Sequence, residues 1–292
     1  MGRAHPECPQ RLRAIDDRMI ASGLADHVLQ VESSPAKREH LERVHAPSYI
    51  DAIESAVPSH GVVHLDPDTA MNPHTRHAAL CAAGAGVLAV DMVLAQRASA
   101  AFCSVRPPGH HAERARAMGF CIFNNIAVAA AHGLAQPGIE RVAIVDFDVH
   151  HGNGTEAIFE HDPRVLMVST FQHPFYPYSG IDGHSDHMVN VPLSAYSGGR
   201  ELREAVTRHW MPALAAFAPQ MIFVSAGFDA HRDDDMAMLQ WVEADYAWVT
   251  TEIKRIADAS AGGRIVSMLE GGYELGALGR SVASHIKVLA GL

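Results

Sequence analysis

Five short, β-rich runs punctuate the chain: Ala101–Val105, Val142–Asp146, Val165–Ser169, Met221–Ser225 and Arg264–Leu269. Four of them lack polar alternation, the pattern of strands buried on both faces of a parallel sheet. Between the runs, apolar positions return at helical spacing over Pro9–Ser22, Ser48–Ala56, His74–Gln96, Asn124–Ala135, Gly199–Ala216, Glu243–Ala259 and Leu275–Leu289. Strands alternating with helices predict an α/β fold, a doubly wound and mainly parallel sheet flanked by helices. No repeat, low-complexity tract or Gly/Ser linker divides the pattern, so residues 1–292 are expected to form a single domain.

Such sheets bind ligands outside the carboxyl ends of their strands. The residues directly after the runs are Arg106-Pro-Pro-Gly-His-His111, Asp146-Phe-Asp-Val-His-His-Gly-Asn-Gly-Thr155, Ala226-Gly-Phe-Asp229 and Glu270-Gly-Gly-Tyr273. Four separate strand ends thus bring acids, imidazoles or a phenol beside glycines, which let backbone approach a bound species.

Asp148 and His150 stand two apart, so on an extended segment both side chains point the same way. With Asp229 as a third ligand they would hold a divalent metal and leave a position open for water and substrate. Without a thiolate in the set, zinc, iron(II) and other borderline metals all suit it. His110 and His111 follow a rigid Pro-Pro-Gly turn; beside an activated water one ring can serve as general base and the other as electrostatic partner. Each needs an acceptor on its second nitrogen, and Asp146 and Asn153 are the candidates. Tyr273 can offer a phenol donor to an oxyanion, and the two glycines before it predict a mobile backbone. Taken singly, each of these features is common in packing alone, and their convergence is what points to hydrolysis.

Composition narrows the class. The apolar fraction is 48%, without a continuous apolar run expected to span a bilayer and without an apolar core for a secretory signal near the N-terminus. A net charge of −10, with no Lys/Arg stripe, argues against nucleic acid as a partner. Cys8, Cys81, Cys103 and Cys121 are widely spaced and form no C-x-x-C pair, which suits a reducing cytoplasm.

In this order the segments resemble the histone deacetylase and acetylpolyamine amidohydrolase superfamily. The matching blocks are His5-Pro-Glu-Cys-Pro-Gln-Arg11, Arg106–His111, Gly119-Phe-Cys-Ile-Phe-Asn-Asn125, Asp146–Thr155, Ser225–Asp229 and Leu269–Tyr273. The wording from Asp148 to Thr155 is similar to the class II branch and its bacterial relatives. The resemblance implies a zinc-dependent deacetylase of N-acetylated amines, either acetyl-lysine in proteins or acetylated polyamines, with one zinc per chain on Asp148, His150 and Asp229. It implies His111 as general base and then acid, paired with Asn153, and His110 as electrostatic partner oriented by Asp146. Tyr273 would polarise the acetyl carbonyl, and Gly119, Phe120 and Tyr176 would line the substrate channel, with Tyr where relatives usually have Phe. It also implies structural potassium or sodium, at Asp146, Asp148, His150, Ser169 and Thr170 and, at a second site, around Phe159, Asp162 and Val165. Relatives usually carry a strand and loop before the His-Pro-Glu block, which here begins at His5.

Hydrolysis of other small amides or esters would use the same residues. An arginase-like ureohydrolase would need a second set of metal aspartates; Asn153 follows the His-His-Gly run, and Asp233, Asp234 and Asp235 are expected in a solvated loop. A non-catalytic binder would be expected to have lost part of the metal, His-His and Tyr set, which is complete here.

Overall fold

A computed structural model describes residues 5–181 and 185–292. Its centre is a six-stranded sheet built from β3 (Ala100–Cys103), β4 (Val142–Asp146), β5 (Val165–Gln172), β6 (Met188–Leu193), β7 (Met221–Ala226) and β8 (Ile265–Leu269); β1 (Val63–His64) and β2 (Ala70–Met71) form a separate small hairpin. The order is β3-β8-β7-β4-β5-β6 and every pairing is parallel, as the pattern predicts. From β4 the chain runs outward through β5 and β6, then returns to place β7 on the other side of β4. The crevice between β4 and β7 is therefore the switch point of the sheet, and Asp146 pairs in register with Ser225 across it.

Successive residues of β4 feed opposite cores. Ala143 and Val145 join one face with Trp210, Tyr246, Ile253 and Val282; Val142 and Ile144 join the other with Val90, Ile126 and Met268. All five β4 residues are buried, which is why the run shows no alternation. The first face is covered by α1 (Gln10–Ala21), α9 (Glu243–Ser260) and α10 (Leu275–Leu289), the second by α4 (Thr75–Leu94) and α5 (Asn125–Leu134), with the short α2 (Arg38–Leu41) and α3 (Pro47–Ser55) packed on the same side. The Asn124 side chain caps α5 by accepting from Ala127 N at 3.0 Å.

Several expectations are corrected. β6 is not among the predicted strands: it is an edge strand with three half-buried residues and an exposed Pro192, and Asn190 and Pro192 break its apolar run. α6 (Asn153–Phe159) grows directly out of a segment read as site loop, because Gly and Asn there look like turn residues. The segment Gly199–Ala216 forms α7 (Gly199–Ala205), a π-helical turn over Val206–Trp210 and α8 (Met211–Phe217). Pro212 has no N–H to continue an α-helical ladder there. Finally, α4 is long and apolar enough to cross a membrane by length and composition, contrary to the expectation from the sequence; 61% of its apolar window is buried within the protein, packed on α5, β3 and β8.

Candidate active site

The stretch after β4 keeps its two-residue alternation beyond the last ladder bond. Phe147 and Val149 enter the core, while Asp146, Asp148 and His150 turn to the crevice. Asp148 N donates to Asp146 Oδ1 at 3.1 Å and His150 N donates to Asp148 Oδ1 at 2.8 Å, so each acid fixes the turn that presents the next ligand. Asp229, at the end of β7, meets them: His150 Nδ1 lies 3.0 Å from Asp148 Oδ1 and 3.3 Å from Asp229 Oδ2. One potential ligand atom from each of the three residues lies within 4.8 Å of the others, and all three are buried. Gly271 N donates to Asp148 Oδ2 and Val149 N to Asp229 Oδ1, but Asp229 Oδ2 has no hydrogen-bond partner among the described residues. A Cβ at Gly227 would stand 2.1 Å from Asp148 Oδ2 and one at Gly271 would stand 1.9 Å from Asp229 Oδ2; only glycine fits this cradle. An orphaned carboxylate oxygen in a crowded cluster of acids and imidazole fits a divalent cation.

Electrostatics agree. Burial opposes the Asp148 charge, but His110 and the His150 hydrogen bond outweigh it and hold its carboxyl below the ordinary range. Burial and the neighbouring Asp148 charge push Asp229 up. Burial works against a His150 cation as well, yet its hydrogen bond to Asp148 and the Asp229 carboxylate close by raise it to about 9. Asp146, Asp148, Asp229 and Glu270 are each at most 1% exposed, an excess of buried negative charge that invites cations.

The histidine rings lie 4.0 Å apart, centroid to centroid. His110 Nδ1–H donates to Asp146 Oδ2 at 3.0 Å. His111 Nδ1–H donates to Asn153 Oδ1 at 2.8 Å, and Asn153 in turn donates its amide to Glu113 Oε1, which sets the amide orientation and leaves His111 Nε2 with the lone pair. The two proton affinities diverge. Burial lowers His111 well below its usual value, and the charges of His110 and His150 add to this. Burial also disfavours the His110 cation, but Asp148 and Asp146 outweigh it and raise that ring to about 10.

A cavity of about 160 Å³ opens onto this cluster, lined by Asp68, His111, Gly119, Phe120, His150, Phe175, Tyr176, Met236 and Tyr273. Tyr176 stands edge-on to His111 at 5.3 Å, Phe175 stacks on His150 at 5.5 Å, and Phe120 stands edge-on to Tyr273 at 5.9 Å. Phe120 sits at φ +68°, held by Thr69 Oγ1 accepting from its N–H, while Asp68 Oδ1 accepts from Gly119 N. The Tyr273 backbone is pinned rather than mobile: Asp234 Oδ2 accepts from Tyr273 N at 2.6 Å, and Arg11 donates to Gly272 O at 2.7 Å with its guanidinium over the Tyr273 ring. Burial keeps the Tyr273 phenol protonated. Asp234 is thus not in a solvated loop: it is 4% exposed, and burial raises its carboxyl to about 6, whereas Asp233 and Asp235 are exposed.

The residues matched to monovalent cations divide. Ser169, in register with Asp146, and Thr170, the next residue of β5 and so on the strand's opposite face, have buried hydroxyls without a hydrogen-bond partner among the described residues. Phe159, Asp162 and Val165 lie farther out, where the Val165 carbonyl meets His187 Nδ1 at 2.8 Å and the Asp162 carboxylate holds Arg164.

Residues 5–289 match the family model of the histone deacetylase domain. The chain belongs to the histone deacetylase family. An uncharacterised protein of Synechocystis sp. is 39% identical, over 99% of this chain and 94% of its own length. The histone deacetylase-like amidohydrolase of Pseudomonas aeruginosa is 38% identical over 92% of this chain and 72% of its own length. The polyamine deacetylase HDAC10 of Mus musculus is 36% identical over 98% of this chain but only 45% of its own. The crystal structure of the HDA15 HD domain superposes with a TM-score of 0.93 at 35% identity, covering 100% of this chain and 84% of that one.

Sequence reasoning assigned no role to Asp68, Met236, Asp234, Arg11 or Glu270 in this deacetylase-family site. Asp68 hides in an ordinary Asp-Pro-Asp-Thr turn, and Met236 in an acidic loop. Glu270 has a signal in its place at a strand end, and Arg11 in closing the His5–Arg11 block.

Proposed function

We propose that the chain is a zinc-dependent amidohydrolase that removes acetyl groups from amines, acting on acetyl-lysine side chains or acetylated polyamines. The observation that carries this reading is geometric: His110, hydrogen-bonded to Asp146, and His111, hydrogen-bonded to Asn153, stand side by side at one cavity floor beside the Asp148–His150–Asp229 cluster. Those three residues would hold one zinc, which when bound supplies Lewis acidity for activating water and polarising a carbonyl. His111 Nε2 takes a proton from the attacking water and delivers it to the departing amine nitrogen, leaving acetate and free amine. His110, held on Asp146, offsets negative charge without giving up its proton. Tyr273 donates to the carbonyl oxygen as charge grows on it, from a backbone that Asp234 and Arg11 keep in place. Phe120, Phe175 and Tyr176 would flank the methylene chain and exclude water. Potassium or sodium beside Asp146, Ser169 and Thr170 would offset the remaining buried charge.

The test is a rate panel on acetyl-lysine peptides, acetylputrescine, acetylspermidine, short-chain acyl amides and esters, with metal content measured on the same preparation. Acetate release from an acetylated amine at one zinc per chain is the expected result. Fully metal-loaded protein that hydrolyses only esters, or nothing in the panel, would overturn the reading.

A further inference from the structure

Glu270 takes no part in the scheme above, yet its side chain is buried at the floor of the site. It directly follows β8, and its Oε2 accepts from two successive backbone N–H groups, Gly109 N at 2.6 Å and His110 N at 3.1 Å. Consecutive N–H groups converging on one anion make a concave anion site, filled here from within the chain. Among the described residues no other acceptor takes either N–H. Ser225 Oγ donates to Oε1 at 3.3 Å, and the Glu270 main chain is tied to Ala226 O and to Arg11 Nη2. The carboxylate therefore spans from the ends of β7 and β8 to the turn after β3.

The acceptors on the rings do a different job. Asp146 and Asn153 set the rotation of His110 and His111, whereas the position of the main chain beneath them is set by what holds Gly109 and His110. Thr155 N donates to His110 O at 3.1 Å, which fixes the carbonyl side. On the other flank Gly109 is pressed against the start of α5, where a Cβ would come within 2.4 Å of Asn125 N. The turn cannot relax toward α5, but it could relax into the volume of a shortened Glu270.

We propose that Glu270 is a positioning residue whose carboxylate fixes the Gly109–His110 main chain and so sets where both imidazoles stand relative to Asp148, His150 and Asp229. The inference rests on the deacetylase reading for its kinetic consequence, but not for its structural one.

The experiment compares Glu270→Gln and Glu270→Ala in the zinc-loaded full chain, on the acetylated amine that wild type turns over fastest. Glutamine keeps an oxygen that can accept from both N–H groups. The expected result is a kcat loss of about 10²-fold in Glu270→Ala with metal content unchanged, since a misplacement of about 1 Å has a cost of that order. KM should stay within about threefold and Glu270→Gln should recover kcat to within about tenfold of wild type, a split that lost stability alone does not produce. A crystal structure of Glu270→Ala should show the 107–111 turn displaced toward the vacated space. Wild-type kcat in Glu270→Ala, equal losses in the two variants, or an unmoved turn would each overturn the proposal. Should wild type hydrolyse nothing in the panel, the functional reading fails by itself, and the position of the turn still decides this one.

Discussion

His110 and His111 are adjacent and both buried, yet their proton affinities are driven in opposite directions by what each Nδ1 meets. A carboxylate raises His110; a neutral amide leaves burial and neighbouring cations to lower His111. The roles follow from this difference. His111→Ala is expected to lower kcat by about 10²–10⁴-fold, the range of general acid–base catalysis, while His110→Ala keeps measurable turnover and both variants retain zinc. Equal losses in steady-state assays would refute the division of labour. Tyr273→Phe keeps the ring packed against Phe120 and Arg11 and removes only the donor. It should cost about 10²–10³-fold in kcat with little change in KM, because the hydrogen bond strengthens as charge develops. A thermal melt of the same preparation should show little change, and near-wild-type kcat would return Tyr273 to the role of a packed aromatic.

At the scale of elements, α9, β8 and α10 are joined by a buried imidazole. Thr250 Oγ1 gives its proton to Tyr246 O, so it accepts from His285 Nδ1–H at 2.7 Å, and Ser267 Oγ donates to Nε2 at 2.9 Å. The ring is neutral, and burial lowers its pKa to about 3. Since the unfolded chain takes up this proton near pH 6.5, the folded state loses stability as pH falls from about 6.5 toward 3 and has the full contribution above that window. Between pH 6.5 and 4.5 the loss is on the order of 2–3 kcal/mol at 1.36 kcal/mol per unit. Urea titrations at pH 7 and 4.5 should show His285→Gln losing less stability over this range than wild type; parallel losses would sink the assignment. None of this was legible in the sequence, where His285 was one of 20 histidines inside an amphipathic helix. What the sequence did reveal follows from burial: strands covered on both faces, such as β4 and β7, read as unbroken apolar runs, and the acids that follow them mark the crevice. β6 and α6 escaped notice because an edge strand needs no continuous apolar run and a short helix opening on Asn-Gly looks like a loop. Asp234 and Glu270 escaped because their partners are backbone N–H groups, which leave no trace in side-chain spacing.

The whole molecule gathers four nearly unexposed acids where β4, β7 and β8 end. In metal-free protein, protons compete for this charge, and His150 must lose one to become a ligand. Zinc affinity is therefore expected to rise with pH up to about 9, with proton release on binding, measured by competition with a chromophoric chelator. A pH-independent affinity across that range, or full zinc occupancy in Asp229→Ala, would contradict the ligand set. Chelation should also lower the melting temperature, since it returns the acids to an uncompensated state. The parallel, doubly covered β4 has a further consequence. Its amides should be among the slowest to exchange with deuterated solvent, opening only when the chain unfolds as a whole. Asp148, His150 and Asp229, the proposed metal ligands, hang from this rigid centre, whereas Asp68, Phe120, Tyr176 and Met236 stand on connecting segments. Substitutions at the rim can then redraw substrate preference without touching the part of the molecule that performs the chemistry, so the scaffold should tolerate directed evolution of its mouth far better than of its floor.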